Sequence, residues 1–274
     1  MKAALRDAGF TFDWWETDAP GHATELAANT PDVATVVVMG GDGTTHEAAK
    51  SIIGTNRTLG VVPMGSGDDF AYALGLARHD LKAAVEVLKT GRVRLVDTGV
   101  CNGEPFLNAA GVGFDAEVGA YVHQAPARFT GIAAYLWAVV AALRNLAPIR
   151  MKVWGTDPSG TEHLLHDDAS LLVSLQNGPR TGGSFLFAPM ADVDDGVLEA
   201  VIAAGVGRVG TLTLLPKALR GQHLGDARVT HAAVTSLRIE SEHPRAWHTD
   251  GEVFPTASAF ALTCNPKSLR VRAP

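Results

Sequence analysis

Apolar positions along this chain follow one rhythm up to about residue 91 and another after it. "LRDAGF", "GHATELAAN", "THEAAKSIIG" and "DLKAAVEVLKTG" space their apolar residues as helices do. "TFDWWET", "ATVVVMG" and "TLGVVPMG" read as strands, the last two as near-continuous apolar runs of the kind buried on both faces. Alternation of these units predicts a parallel sheet covered by helices, an α/β arrangement. From "RVRLVDTGV" onward short alternating strands dominate: "VCNGEPFLN" as a hairpin through Asn102-Gly103, then "IRMKVWG", "ASLLVSLQN", "GVLEAVIAA", "ARVTHAAVTSLRIES" and "SAFALTC". Helices interrupt at about 130–146 and 207–220. The pattern predicts an α/β domain over 1–95 and a β-rich, sandwich-like domain over 96–274, with "KSLRVRAP" returning to the first.

Composition narrows the class. A chain of 274 residues with 46% hydrophobic and 19% charged positions can bury real cores and is not disordered. Net charge is −6 with no basic run, which speaks against a nucleic-acid partner. Cys101 and Cys264 lie far apart and read as free thiols of a reducing compartment. "MKAALRDAGF" has no apolar core of a signal peptide. The longest uncharged stretch, "FTGIAAYLWAVVAAL" from Phe129 to Leu143, is shorter than the roughly 18 residues of a membrane span and reads as a buried helix. A soluble, cytoplasmic protein is expected.

Two glycine turns carry the candidate chemistry. In "VVVMGGDGTTHEAA" a buried strand ends in Gly40-Gly41, passes Asp42 and Gly43, and opens a helix near Thr44. Converging backbone N–H groups and the helix N-terminus suit an anion, and glycine lets it approach closely. Thr44 and Glu47 also fit a capping box, and a plain tight turn competes with a phosphate seat. This turn is neither the GxxxxGK[ST] loop, since no lysine follows its glycines, nor GxGxxG. A carboxylate beside phosphates repels them unless a cation intervenes, so a nucleotide here would leave Asp42 facing Mg²⁺ or the acceptor. The second turn, "VVPMGSGDDFAYALG", places Gly65, Ser66 and Gly67 after another buried strand, with Asp68 and Asp69 positioned as helix-capping acids. In a parallel sheet both turns share the carboxyl edge, where ligands bind.

"GGDGTTHEAA", "LGVVPMGSGDDFAYALGL", "NAAGVGFDAEV", "FAPMADVDDGVLEAVI" and "TDGE", in that order, resemble the diacylglycerol kinase catalytic-domain superfamily, which includes soluble bacterial lipid kinases and sphingosine kinases. The resemblance implies a two-domain kinase that binds ATP with Mg²⁺ between the domains and transfers the γ-phosphoryl group to a lipid hydroxyl. It implies that Gly40, Gly41, Asp42, Gly43 and Thr44 cradle phosphates, that Gly65 and Ser66 contact nucleotide, and that Asp69 supports the metal network with Asp42. Thr17 stands where members offer a threonine to the nucleotide. Asp195 would organise a structural Mg²⁺ with Asp192 and the backbone of Val197, although "DVDDG" is also ordinary turn composition. Asp250 would take the acceptor's proton, with Glu252 close behind, although Asp-Gly is also the usual hairpin turn.

Two departures stand out. Asp68 replaces the usual asparagine of Asn-Asp-Phe, adding an acid beside Asp69. Members also begin with a strand and an Asn-Pro-x-x-Gly loop ahead of the helix that opens here at Met1, so the first strand is expected to be missing and the sheet edge exposed. A homodimer is one way to cover such an edge. The acceptor would be a lipid presented by a membrane or micelle, placing the protein peripherally at a membrane, and the Phe129–Leu143 stretch could line its pocket. An NAD-kinase-like enzyme, which shares Gly-Gly-Asp-Gly, and an inactive lipid-binding homologue are the alternatives. The retained Asp42, Asp69, Asp195, Asp250 and Glu252 speak against loss of catalysis.

Overall fold

The computed structural model describes residues 1–122, 124–126, 128–129, 132–183 and 185–274. Its elements run α1 (Lys2–Asp7), α2 (His22–Ala28), β1 (Thr35–Gly40), α3 (Asp42–Lys50), β2 (Thr58–Pro63), α4 (Asp69–Ala73) and α5 (Leu81–Thr90) in the first third. Then come β3 (Arg92–Cys101), β4 (Glu104–Phe106), β5 (Ala109–Gly113), α6 (Phe114–Val122), α7 (Ile132–Leu143), β6 (Ile149–Thr156) and β7 (Glu162–Gln176). The remainder holds β8 (Leu198–Ala204), α8 (Arg208–Ala218), a 3₁₀ turn (Gln222–Gly225), β9 (Val229–Val234), β10 (Ser236–Thr249) and β11 (Glu252–Ala273). This is a mixed α/β amino-terminal region followed by a β-rich, sandwich-like one.

β1 pairs with β2 in parallel, and β2 with the far end of β11, Arg270 opposite Thr58 and Val271 opposite Leu59. The long β11 then pairs antiparallel with β3 and β10, so one strand serves both regions. Across the second region the order is β10, β5, β7, β8, β9, each antiparallel to its neighbour. One core gathers Val38, Ile52, Leu59, Val61, Phe70, Leu269 and Val271, and a second gathers Phe106, Met151, Leu175, Leu198, Ile239 and Phe260. A third cluster packs α6 and α7 (Phe114, Ala138, Val139, Leu143) over Leu172 and Ala203 of β7 and β8. The stretch from Phe129 to Leu143 forms the packed helix α7 from residue 132 on; Phe129 precedes the helix, and residues 130 and 131 lie outside the described residues.

Three expectations change in detail. "TFDWWET" forms no strand: Phe12 and Trp14 pack with Leu5, Ala84 and Leu88 on α1 and α5, but no described strand lies alongside to complete a ladder. α3 begins at Asp42, two residues before Thr44, with extended Gly41 as its cap, so Thr44 does not form the capping box. Thr44 instead stacks under Gly40, where an added Cβ would come 3.2 Å from Thr44 Oγ1. Asp68 caps α4 in a left-handed conformation, φ 54°, without a side-chain bond to the helix. Its carboxylate turns back to the glycine turn before it, as described below.

Among the described residues no helix is long and apolar enough to cross a membrane.

Candidate active site

The two glycine turns meet backbone to backbone. A Cβ on Gly65 would come within 2.5 Å of Gly41 Cα, and one on Gly67 within 2.8 Å of Asp42 Oδ2. A third turn closes on them from the β-rich region, since a Cβ on Gly183 would sit 3.1 Å from Gly67 Cα. Only residues lacking side chains allow this approach, which accounts for the glycines before any ligand is considered.

Charged groups lock the assembly. Asp69 Oδ1 accepts from Arg180 Nε at 2.8 Å and its Oδ2 from the Gly183 N–H at 2.7 Å, while Arg180 Nη2 donates to the Gly67 carbonyl at 2.8 Å. Arg180 also lies over the Tyr72 ring, 4.2 Å from its centroid. Asp68, buried, accepts from the Gly65 N–H at 3.0 Å and pairs with Arg78 at 3.3 Å. Arg78 in turn donates to the carbonyls of Gly65 and Ser66 at 2.9 and 2.7 Å. The additional acid of Asp68-Asp69-Phe70 is therefore neutralised and spent on holding the Gly-Ser-Gly turn.

Asp250 occupies the left-handed corner of the β10–β11 hairpin, φ 48°, followed by Gly251 at φ 89°, the turn its sequence suggested. Its side chain points inward. Oδ1 accepts from the N–H groups of Asn108 and Ala109, both at 2.9 Å; Oδ2 accepts from Leu107 N–H at 2.7 Å and meets His46 Nδ1 at 2.8 Å. Burial raises its pKa, but the His46 ring and the N–H groups of Leu107 and Ala109 outweigh burial and leave it below the usual carboxylate range. Glu252 is half-exposed and pairs with Lys50 at 2.6 Å.

Asp42 differs. Its Oδ1 accepts one weak bond, from Phe70 N–H at 3.3 Å. Burial, then the neighbouring Asp69 carboxylate, push its pKa up to about 7, against the Phe70 N–H that lowers it. Asp42 thus sits where a carboxylate changes protonation near neutrality, which suits a group that handles protons.

One cavity of about 680 Å³ joins these parts. Asp42, Gly43, Ser66, Asp69, Asp250 and Glu252 line one end; Gly40, Gly41 and Gly65 stand behind them as packing, and Thr17 is exposed and outside the wall. The other end runs over the β-rich sheet beneath α6, α7 and α8, past Val139, Leu172, Val201, Ala203 and Leu214. Between the two ends stand Asp115 and His248. Gly251 N–H donates to His248 Nδ1 at 3.2 Å, leaving Nε2 to carry the proton toward Asp115 Oδ2 at 3.4 Å. Gly111 makes room, as a Cβ there would overlap Asp115 Oδ2. Sequence reasoning passed over His46, Arg180, Asp115 and His248; only the DGT-T-H adjacency placed His46 near a motif, and nothing local pointed to Arg180.

Asp192, Asp195 and Val197 lie away from this cavity, in the turn before β8. Arg94 binds Asp194 at 2.6 Å and reaches Asp192 at 3.6 Å, and Asp195 Oδ1 accepts from Val197 N–H at 3.1 Å. Burial, with Asp192 and Asp97 nearby, raises the Asp195 pKa. Two carboxylates and a backbone carbonyl are hard oxygen donors of the kind Mg²⁺ accepts. No cluster of three or more His, Cys, Asp or Glu side chains capable of holding a metal occurs among the described residues.

Comparison with known proteins agrees with this layout. Residues 1–101 match the diacylglycerol kinase catalytic domain, and residues 108–273 match the YegS C-terminal NAD kinase beta sandwich-like domain. The chain is 28% identical over 253 residues to a diacylglycerol kinase of Bacillus subtilis, covering 90% of this chain and 81% of that one. It is 30% identical over 257 residues to a Chromohalobacter salexigens protein named "Probable lipid kinase YegS-like", covering 90% and 79%. Among solved structures, a diacylglycerol kinase from Bacillus anthracis superposes with a TM-score of 0.73 at 22% identity, over 99% of this chain and 88% of that one. An NAD kinase from Archaeoglobus fulgidus in complex with ATP superposes with a TM-score of 0.56 at 12% identity, over 99% and 87%.

Proposed function

Because the chain belongs to the diacylglycerol kinase family, with the YegS-type carboxy-terminal domain, we propose that it is an ATP-dependent kinase of a lipid alcohol. The observation that carries this reading is the continuity of the cavity: a glycine-built, carboxylate-rich end opens without interruption into an apolar end. A soluble acceptor such as NAD would need polar walls along its length, whereas the far walls here are mostly apolar.

The α3 N-terminus with Gly43, and Ser66 across from it, would seat the phosphates. Six carboxylates line the cavity (Asp42, Glu47, Asp69, Asp115, Asp250, Glu252) against one lysine, Lys50. A polyphosphate entering that field needs a divalent cation, which Asp69 would face while Asp42 is left to address the acceptor; Mg²⁺ would shield charge on the transferring group. Asp192, Asp195 and the Val197 carbonyl would hold a second, structural Mg²⁺ with no part in the reaction.

Phosphoryl transfer asks the protein mainly for positioning and charge stabilisation, with a base to receive the hydroxyl proton. Asp250 has both oxygens engaged by four donors, so its proposed part is to hold His46 and the 107–109 backbone. Asp42, weakly bonded, is the candidate base. Asp115, presented by His248 where the polar end gives way to the apolar end, would meet the acceptor's head group.

The test is transfer of labelled γ-phosphate from Mg·ATP to diacylglycerol, sphingosine and a crude lipid extract in detergent micelles, with Ala203→Phe alongside. Labelled lipid from the parent, and ATP binding without lipid labelling by the variant, support the reading. Phosphorylation of NAD instead of any lipid would refute it.

A further inference from the structure

The far end of the cavity holds a polar group with nothing to bond. His223, in the 3₁₀ turn after α8, is 3% exposed and forms part of the cavity wall. Neither of its ring nitrogens makes a hydrogen bond among the described residues. The ring is kept in place by stacking on Phe187, centroids 5.0 Å apart, within an otherwise aliphatic wall of Leu214, Leu215, Ala218 and Val229. The Phe187 backbone carbonyl is near enough to favour the protonated ring but outside hydrogen-bond geometry, and burial, with His231 nearby, outweighs it and lowers the pKa, so the ring is held neutral and offers one donor and one acceptor. A buried imidazole with neither position used costs free energy that a leucine or phenylalanine here would avoid.

The sheet measures how far this group lies from the chemistry. His248, Gly111, Ser174, Val201 and His231 stand directly opposite one another in a single row across β10, β5, β7, β8 and β9. Four strand spacings separate the hairpin bearing Asp250 from β9, where Val229 and His223 close the cavity, a path along the sheet of up to roughly 19 Å at about 4.8 Å per spacing. A head group near Asp115 and a group bonding His223 therefore sit toward opposite ends of the cavity.

Resting on the lipid-kinase reading, we infer that His223 recognises a hydrogen-bonding oxygen in the distal part of the acceptor's hydrocarbon chain, such as a hydroxyl or keto group, and that the enzyme selects oxygenated chains over plain ones. A chain hydroxyl would donate to one ring nitrogen and accept from the other, satisfying both partners inside an apolar wall. A plain chain would leave the imidazole unpaired. Because a site built to bond an oxygen rejects the analogue that lacks it, the preference falls on the chain and not on the head group.

The experiment uses the full chain and monoacylglycerols of one chain length in micelles, one fully saturated and the others carrying a hydroxyl stepped along the chain. Equilibrium binding and γ-phosphate transfer are both measured for the parent, His223→Leu and His223→Asn. The expected result is tighter binding and a higher kcat/KM for one distal hydroxyl position, by roughly 3- to 10-fold, the worth of one net hydrogen bond. His223→Leu should abolish that preference while binding the saturated lipid at least as well, and His223→Asn should keep part of it. Equal binding of all positions by the parent, or a preference that survives His223→Leu, overturns the inference and leaves the lipid-kinase reading intact. No binding or transfer with any monoacylglycerol, while diacylglycerol or sphingosine is phosphorylated, overturns the inference alone; no transfer to any of these lipids removes both together.

Discussion

His46 Nδ1 lies 2.8 Å from Asp250 Oδ2, joining residues 204 positions apart. His46 belongs to the glycine-turn helix α3 and Asp250 to the hairpin of the β-rich region, and each side chain is 5% exposed. The contact couples the first glycine turn to the second domain through a buried, charge-assisted bond.

Substituting Asp250→Asn places an amide NH₂ where a carboxylate oxygen now accepts backbone N–H groups on either side. One donor must then face another, at a cost of about 1–3 kcal/mol. Thermal unfolding should show a lowered Tm, and lipid phosphorylation should be lost along with it. A variant that is inactive with unchanged Tm would return Asp250 to the role of base.

Asp42→Asn should behave in the opposite way, retaining its single Phe70 bond while transfer falls about 10²- to 10⁴-fold, the usual worth of a positioned base. Its pKa also dictates a sign. A carboxyl raised from 3.8 unfolded to about 7 folded favours the fold fully below pH 3.8 and loses that contribution as pH rises to about 7. Urea titrations of the metal-free protein should therefore show this fall in the parent and a shallower one in Asp42→Asn. Identical slopes would show that Asp42 ionises normally.

The glycines of the two turns should separate packing from ligand binding. Gly43 lies in α3 with open space where a Cβ would stand, so Gly43→Ala should stabilise the ligand-free protein by about 0.5–1 kcal/mol. If phosphates rest there, the same change weakens ATP binding, which calorimetry can read. Gly65→Ala drives a Cβ to 2.5 Å from Gly41 Cα and should cost about 1–3 kcal/mol, since backbone cannot move aside as a side chain can.

Removing Arg78 leaves the buried Asp68 carboxylate without its cation and two turn carbonyls without donors. Arg78→Met should destabilise by about 1–3 kcal/mol and raise the KM for ATP more than it lowers kcat. Arg78→Met combined with Asp68→Asn, which removes the orphaned charge, should recover much of the stability. Failure of that rescue would show that Arg78 acts through its packing and not through Asp68.

Much of this was legible because it is local. The runs ending at Gly40 and Pro63, the Asn102-Gly103 and Asp250-Gly251 turns, and the helix from Leu81 to Thr90 each carry their signal within a dozen residues. "TFDWWET" misled because alternation reports a half-buried surface, and Phe12 and Trp14 bury against helices with no strand beside them. The roles of Asp250 and Asp42 depend on which donors arrive from elsewhere: three N–H groups from 107–109 and a ring from α3 in one case, a single N–H in the other. The pairs Asp69–Arg180 and Asp115–His248, separated by 111 and 133 positions, have no signature along the chain at all.

β11 contributes Leu269 and Val271 to the core beneath the glycine turns, so the residues that finish the first region are made long after the rest of it. A ribosome must complete residues 252–273 before β2 gains its second neighbour and before the hairpin delivers Asp250 to His46. Until then the amino-terminal helices have only part of their core and no carboxylate on His46. The core under the glycine turns and the Asp250–His46 contact are therefore completed together, by one long strand, and neither region is finished before β11 is made.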